Sequence, residues 1–163
     1  MQVKKSLGCV VVLLTCFVFG LGTYLFFELI LGHPQEPDFI TTHINIPASV
    51  PTNEPFEMRI TVQNIASEEI LLHSIDISNS YLEAINVTSI SPQPTLEQNI
   101  PIVDFTSYSF AQSIPVGATQ MVTFELVGIE NGRFEGEVDI CVEAGVICKL
   151  TFIETVIGNG NGR

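Results

Sequence analysis

The chain has 163 residues, with 18 acidic against 6 basic side chains and a formal net charge of −12. That length fits one ordinary domain, large enough to bury a core without a metal or a dense disulfide framework. The charge excludes nucleic acid and anionic lipid headgroups as partners, because both are bound by neutralising phosphates with Lys and Arg.

The charge is unevenly spread. Residues 1–33 carry only Lys4, Lys5 and Glu28, so the acidity falls C-terminal to them, where the bases are Arg59, Arg133, Lys149 and Arg163. Such acidity keeps a domain soluble. Its sharper reading is an affinity for divalent cations or basic partners.

Residues 1–5 are a short basic start. From Ser6 to Phe27 no side chain is charged, and Leu29, Ile30 and Leu31 extend the apolar run past Glu28. A helix of that length crosses a hydrocarbon core, which predicts a transmembrane helix over 6–31. Lys4 and Lys5 stay on the cytoplasmic side, so the C-terminal domain is expected outside the membrane, with Tyr24 at the far interface. The alternative is a cleaved signal peptide using Gly20-Leu21-Gly22 as its small-x-small site, which also leads out of the cytoplasm. Cys9 and Cys16 read as small apolar residues of this helix. Residues 32–38, with Pro34 and Pro37, form a stiff linker.

From Phe39 the hydrophobic period is 2. Thr42, Ile44 and Ile46 mark a first strand. Phe56, Met58, Ile60 and Val62 alternate with Glu57, Arg59, Thr61 and Gln63, which describes a half-buried strand. Ile70 to Ile77 is a third strand, ended by Ser78-Asn79-Ser80. Leu82 to Ile90 is a weaker fourth, containing the glycosylation pattern Asn86-Val87-Thr88. Ser91 to Pro101, with Pro92, Pro94 and Pro101, reads as a loop. Ser107 to Ile114 is a strand, and Pro115 to Ala118 a turn. Gln120 to Val127 points Val122, Phe124 and Leu126 inward. Asn131-Gly132 is a hairpin signal. Phe134, Val138, Ile140 and Val142 then alternate with Glu135, Glu137, Asp139 and Cys141. Val146 to Ile157 is the last strand, and residues 158–163 read as a disordered tail. Seven or eight short strands at regular spacing predict an antiparallel β-sandwich over 39–157, preceded by the single helix.

Cys141 and Cys148 flank a hairpin with Ala144-Gly145 at its turn, and an extracytoplasmic domain permits their oxidation, so a disulfide is expected. In that register the pair falls at a hydrogen-bonded position, where α-carbons are wider apart.

The chain holds no G-x-S-x-G, Gly-rich phosphate loop, H-E-x-x-H or C-x-x-C. His33, His43 and His73 are scattered. Glu135, Glu137 and Asp139 share a strand face with Asp76 on another strand; as a calcium site they lack an acidic binding loop, and as a carboxylate row they are a wet face. No catalytic, cofactor-binding or metal residues are therefore assigned.

Two stretches carry a family resemblance. Val50-Pro51-Thr52-Asn53-Glu54-Pro55 leads into the alternating strand Phe56–Gln63 and then Asn64. This is similar to the opening hairpin of bacterial and archaeal cell-surface Ig-like modules of the CARDB-like group. Ile114-Pro115-Val116-Gly117-Ala118, followed by the strand through Leu126, resembles a later element of the same modules. The resemblance implies an Ig-like sandwich in an adhesion, spacing or assembly role, by analogy.

The expected function is thus a membrane-anchored extracytoplasmic Ig-like domain, a non-enzymatic binding or structural module at the cell surface. It would be single-pass, with the lipid bilayer as partner through residues 6–31, a protein or glycan partner of unknown identity, and no cofactor. The competing reading is an accessory subunit of a membrane complex acting through its helix.

Overall fold

The computed structural model describes residues 37–143 and 147–158. The chain divides into two units, Met1–Gln35 and Glu36–Arg163. The first lies outside the described residues, as do the expected helix 6–31, Ala144-Gly145 and most of the expected tail. Among the described residues no helix is long and apolar enough to cross a membrane.

Ten strands are described, in the order β1 (Ile40–Asn45), β2 (Ser49–Val50), β3 (Pro55–Asn64), β4 (Ile70–Ser78), β5 (Ile85–Ser91), β6 (Leu96–Ile100), β7 (Phe105–Ile114), β8 (Thr119–Gly128), β9 (Gly132–Val142) and β10 (Ile147–Ile157), with one helical turn, α1 (Asn79–Leu82), between β4 and β5. They form a four-stranded sheet, β1-β3-β8-β5, and a six-stranded sheet, β2-β10-β9-β4-β7-β6. Every pairing is antiparallel except β2 with β10, which makes the larger sheet mixed.

Alternation dictates which side chains form the interior. Met58, Ile60 and Val62 of β3 and Val122, Phe124 and Leu126 of β8 are fully buried from one sheet, and Ile75, Ile77, Val138, Ile140 and Val142 from the other. These residues belong to a single core cluster. The sheets touch directly where the rings of Tyr108 and Phe124 meet edge to face, with centroids 5.2 Å apart. Offset aromatic pairs of this kind add to what area burial alone supplies. Burial also pushes the Tyr108 hydroxyl well above its ordinary range.

Several expectations need correction. The segment Ser91–Pro101 is not wholly a loop, because Leu96–Ile100 pairs with β7. All but Ile100 in this edge strand are exposed, so no apolar alternation announces it. Its prolines flank the paired residues without removing a ladder donor. The strand count rises to ten through β6 and the two-residue β2. Asn131-Gly132 does not close a hairpin, since β8 and β9 lie in different sheets. Thr52 Oγ1 donates instead to Asn131 Oδ1, tying this crossing to the turn before β3. For the same reason β2 and β3 form no hairpin.

β4 also changes phase. Ile70 and Leu72 are buried, then Ile75 and Ile77, because the register against both β7 and β9 shifts between Leu72 and Ser74. Against β9 the extra residue is His73, whereas against β7 it lies on β7, between Ser109 and Gln112. The shift reverses which β4 side chains face the core.

Candidate functional site: the outer face of the six-stranded sheet

β9 places Cys141, Asp139, Glu137 and Glu135 on the face turned away from the core, opposite Ile140 and Val138. The ladders extend each of them into a row across the sheet. In one row Cys148, Cys141, Ser74, Ser109 and Leu96 lie side by side. In the next come Leu150, Asp139, Asp76, Ser107 and Gln98. In a third, Phe152 pairs with Glu137, Ser78 with Phe105 and Ile100 with Phe105. Ser78 Oγ joins the halves of that row by accepting from Glu137 N at 2.9 Å.

The centre of this face is built from small serines and carboxylates, and its flanks are apolar. On β10 Phe152 is 74% exposed and Leu150 is also exposed; on β6 Leu96 is exposed. The turn after β6 adds Ile102 and Val103, both largely exposed. That turn is held in place by α1. Asn79 N donates to Asp104 O at 2.8 Å, Asn79 Nδ2 to Asp104 Oδ1 at 3.2 Å, and Thr106 Oγ1 to Asn79 Oδ1 at 2.8 Å. The result is an open groove of about 360 Å³ whose lining includes Val103, Phe105, Glu135, Gly136, Glu137 and Phe152.

Gly136 is required here. A Cβ at this position would stand 2.1 Å from Ser78 Oγ and 2.6 Å from Tyr81 Cβ, so only glycine lets α1 close over β9. Tyr81 is itself fully buried. Its hydroxyl shares a 2.9 Å hydrogen bond with Thr155 Oγ1, and desolvation pushes it up to about 12.

The carboxylates differ in their partners. Glu135 bonds Arg133 Nε at 2.6 Å, and the same guanidinium reaches Glu154 at 2.7 Å. Ser107 Oγ donates to Asp76 Oδ1 at 2.5 Å, and the Cys141 sulfur lies 3.6 Å from Asp76 Oδ2. Asp139 Oδ1 is buried and makes no hydrogen bond. Burial first, then the charges of Asp76 and Glu137, hold the Asp139 carboxyl above its usual range. A carboxylate of this kind lacks a donor or a cation.

The expected disulfide is present: Cys141 and Cys148 are bonded and directly opposed in the β9–β10 ladder. Their α-carbons are 4.0 Å apart. That matches the narrow, non-hydrogen-bonded spacing and not the wide one expected from a two-residue turn. Asp76, placed near Glu137 and Asp139 only by shared strand character in the sequence, is brought directly beside Asp139. His43 and His73 are not brought together, since β1 and β4 belong to different sheets. Among the described residues no group of three or more His, Cys, Asp or Glu is placed to hold a metal ion.

No family model matches the chain, and no curated protein matches it. Solved structures do. A cohesin module from a family 33 glycoside hydrolase of Clostridium perfringens is 12% identical, with 74% of this chain and 97% of that one covered and a TM-score of 0.48. The CARDB domain of a Pyrococcus furiosus protein, solved in complex with di-metal ions, is 12% identical, with 77% and 94% covered and a TM-score of 0.48. AvmM, described as catalysing macrocyclization in alchivemycin A biosynthesis, is 10% identical, with 80% and 98% covered and a TM-score of 0.53. At such identities the likeness is one of fold. The two-sheet core with its alternating buried side chains is that of the expected Ig-like β-sandwich. Since AvmM is described as a catalyst, the fold does not by itself separate binding from chemistry.

Proposed function

We propose that the chain is a membrane-anchored extracytoplasmic module that binds a protein partner and catalyses no reaction. The observation that carries this reading is the outer face of the six-stranded sheet. Its exposed aromatic and aliphatic side chains flank a row of carboxylates in which Asp139 Oδ1 has no hydrogen-bond partner, the pattern of a surface that is covered by something else. The groove there is open along the sheet and does not enclose a substrate-sized volume away from water, as reaction chemistry favours. The apolar run of residues 6–31 supports the anchor, and the Cys141–Cys148 bond supports an oxidising compartment.

The test is membrane fractionation of the epitope-tagged full chain in its own host, followed by protease treatment of intact cells or spheroplasts and photo-crosslinking from position 152. The expected result is a carbonate-resistant membrane protein whose C-terminal domain is cut from outside and forms a discrete crosslinked species. Recovery in the soluble cytoplasmic fraction, or protection from external protease, overturns the topology. Absence of any crosslinked species overturns the binding role.

A further inference from the structure

The outer face of the six-stranded sheet has a polarity that selects the chemistry of its occupant. Its apolar side chains lie along the β10 flank and at the turn after β6, where Phe152 and Val103 face one groove with Phe105 at its base. Its carboxylates lie between these flanks. Among the described residues no ion pair involves Asp76, Glu137 or Asp139, whereas Glu135 and Glu154 share Arg133. The Asp139 oxygen that makes no hydrogen bond is one row away from the Phe152–Glu137 pair.

We propose that this face docks a basic segment of another protein, one that presents Lys or Arg to Asp139 and Glu137 and sets an apolar side chain against Phe152 and Val103. The proposal rests on the binding-module reading above and deepens it by naming the surface and the partner's chemistry. The net charge of −12 argues against a second copy of the chain and against an anionic lipid surface. It favours a cationic partner by steering its approach, while the desolvated acids at the centre supply specificity. A neutral apolar partner would desolvate the Glu137 carboxylate, which has no ion pair among the described residues, and is disfavoured on that account.

The experiment uses the full chain in detergent and a fluorescein-labelled peptide, Lys-Leu-Lys-Gly-Lys-Leu-Lys, read by anisotropy at low and moderate salt. Counterparts replace every Lys with Glu, or every Leu with Ser. The basic peptide is expected to bind saturably, and more weakly as salt rises. Each counterpart should lose about tenfold in affinity. Phe152→Ser and Asp139→Asn should each weaken the basic peptide by about tenfold. Glu125→Gln, on the exposed side of the other sheet, should leave it within about twofold, as far-UV circular dichroism confirms the fold of each variant. No binding, an unaffected Phe152→Ser chain, or an equal loss in Glu125→Gln overturns the proposal, the last by showing attraction to general acidity. The two readings fail separately. If Phe152→Ser with Asp139→Asn still co-purifies the wild-type partner through its epitope tag in undiminished yield, this surface assignment falls and the binding-module reading stands.

Discussion

Asn64, the last residue of β3, donates its side-chain amide to the carbonyl of Ile114, the last residue of β7, at 2.9 Å. The two residues are 50 positions apart and belong to different sheets. Asn64 Nδ2 also donates to Glu68 O at 2.8 Å, and Asn64 Oδ1 accepts from Ala66 N at 2.8 Å. Its backbone completes the junction: Asn64 N donates to Ala118 O at 3.0 Å and Gly117 N to Asn64 O at 3.1 Å. One fully buried side chain thus ties the β3–β4 and β7–β8 crossings together. Asn64 ends the first of the two stretches that carry the resemblance to Ig-like modules, and Ile114 begins the second.

Asn64→Ala should therefore destabilise the domain by about 2–4 kcal/mol, because it leaves a buried amide and carbonyls without partners. Asn64→Asp keeps the acceptor for Ala66 but loses both donations and buries a charge, so it should be at least as damaging at neutral pH and recover partly in acid. Urea unfolding with an unchanged slope measures both. A cost below about 0.5 kcal/mol for the alanine variant would show that water replaces the side chain there.

Gly136→Ala tests the seat of α1. The added methyl must displace Ser78 or the Tyr81 turn, at a cost of about 1–3 kcal/mol. Tyr81→Phe should cost less, about 0.5–1.5 kcal/mol, since it deletes one hydroxyl bond and Thr155 Oγ1 keeps its 3.3 Å bond to Pro47 O. Thermal melts rank the two variants. A more stable Gly136→Ala chain would contradict the contact.

The contrast between β3 and β6 explains what could be read in advance. β3 alternates without interruption, and its burial follows the alternation from Phe56 to Val62. β6 lies at an edge with both faces wet, so nothing in its residues separates it from a loop. At β4 the alternation is real but breaks at His73, and a bulge is set by neighbours that the local residues do not encode. The candidate face was half visible. Glu135, Glu137 and Asp139 share a face by simple parity, but the meeting of Asp139 with Asp76 depends on register between strands more than 60 residues apart. Gly136 carries no local signal either, because its reason is Tyr81.

Opening the Cys141–Cys148 bond should have a modest effect. The cysteines are 7 residues apart, and chain-entropy reasoning for so short a loop gives about 2–3 kcal/mol. The Cys141→Ser, Cys148→Ser double variant should remain folded and lose about that much in urea. If the domain unfolds altogether, the bond holds more than a loop closed.

The pH dependence of stability should isolate Asp139. Its carboxyl is raised above the ordinary value of 3.8 by burial, then by Asp76 and Glu137. The folded chain therefore keeps this proton to higher pH than the unfolded chain does. Below 3.8 both states are protonated and the group costs nothing. As pH rises from there through the raised folded value, the unfolded state loses its proton first and stability falls; above the window the whole penalty remains. Asp139→Asn has no proton to lose, and its amide can donate to Asp76. Its melting temperature should exceed the parent's at neutral pH, and the two curves should converge in acid, below 3.8. A variant less stable than the parent at neutral pH would mean that Asp139 has a partner in the folded chain, which would also remove the vacancy offered to a basic ligand.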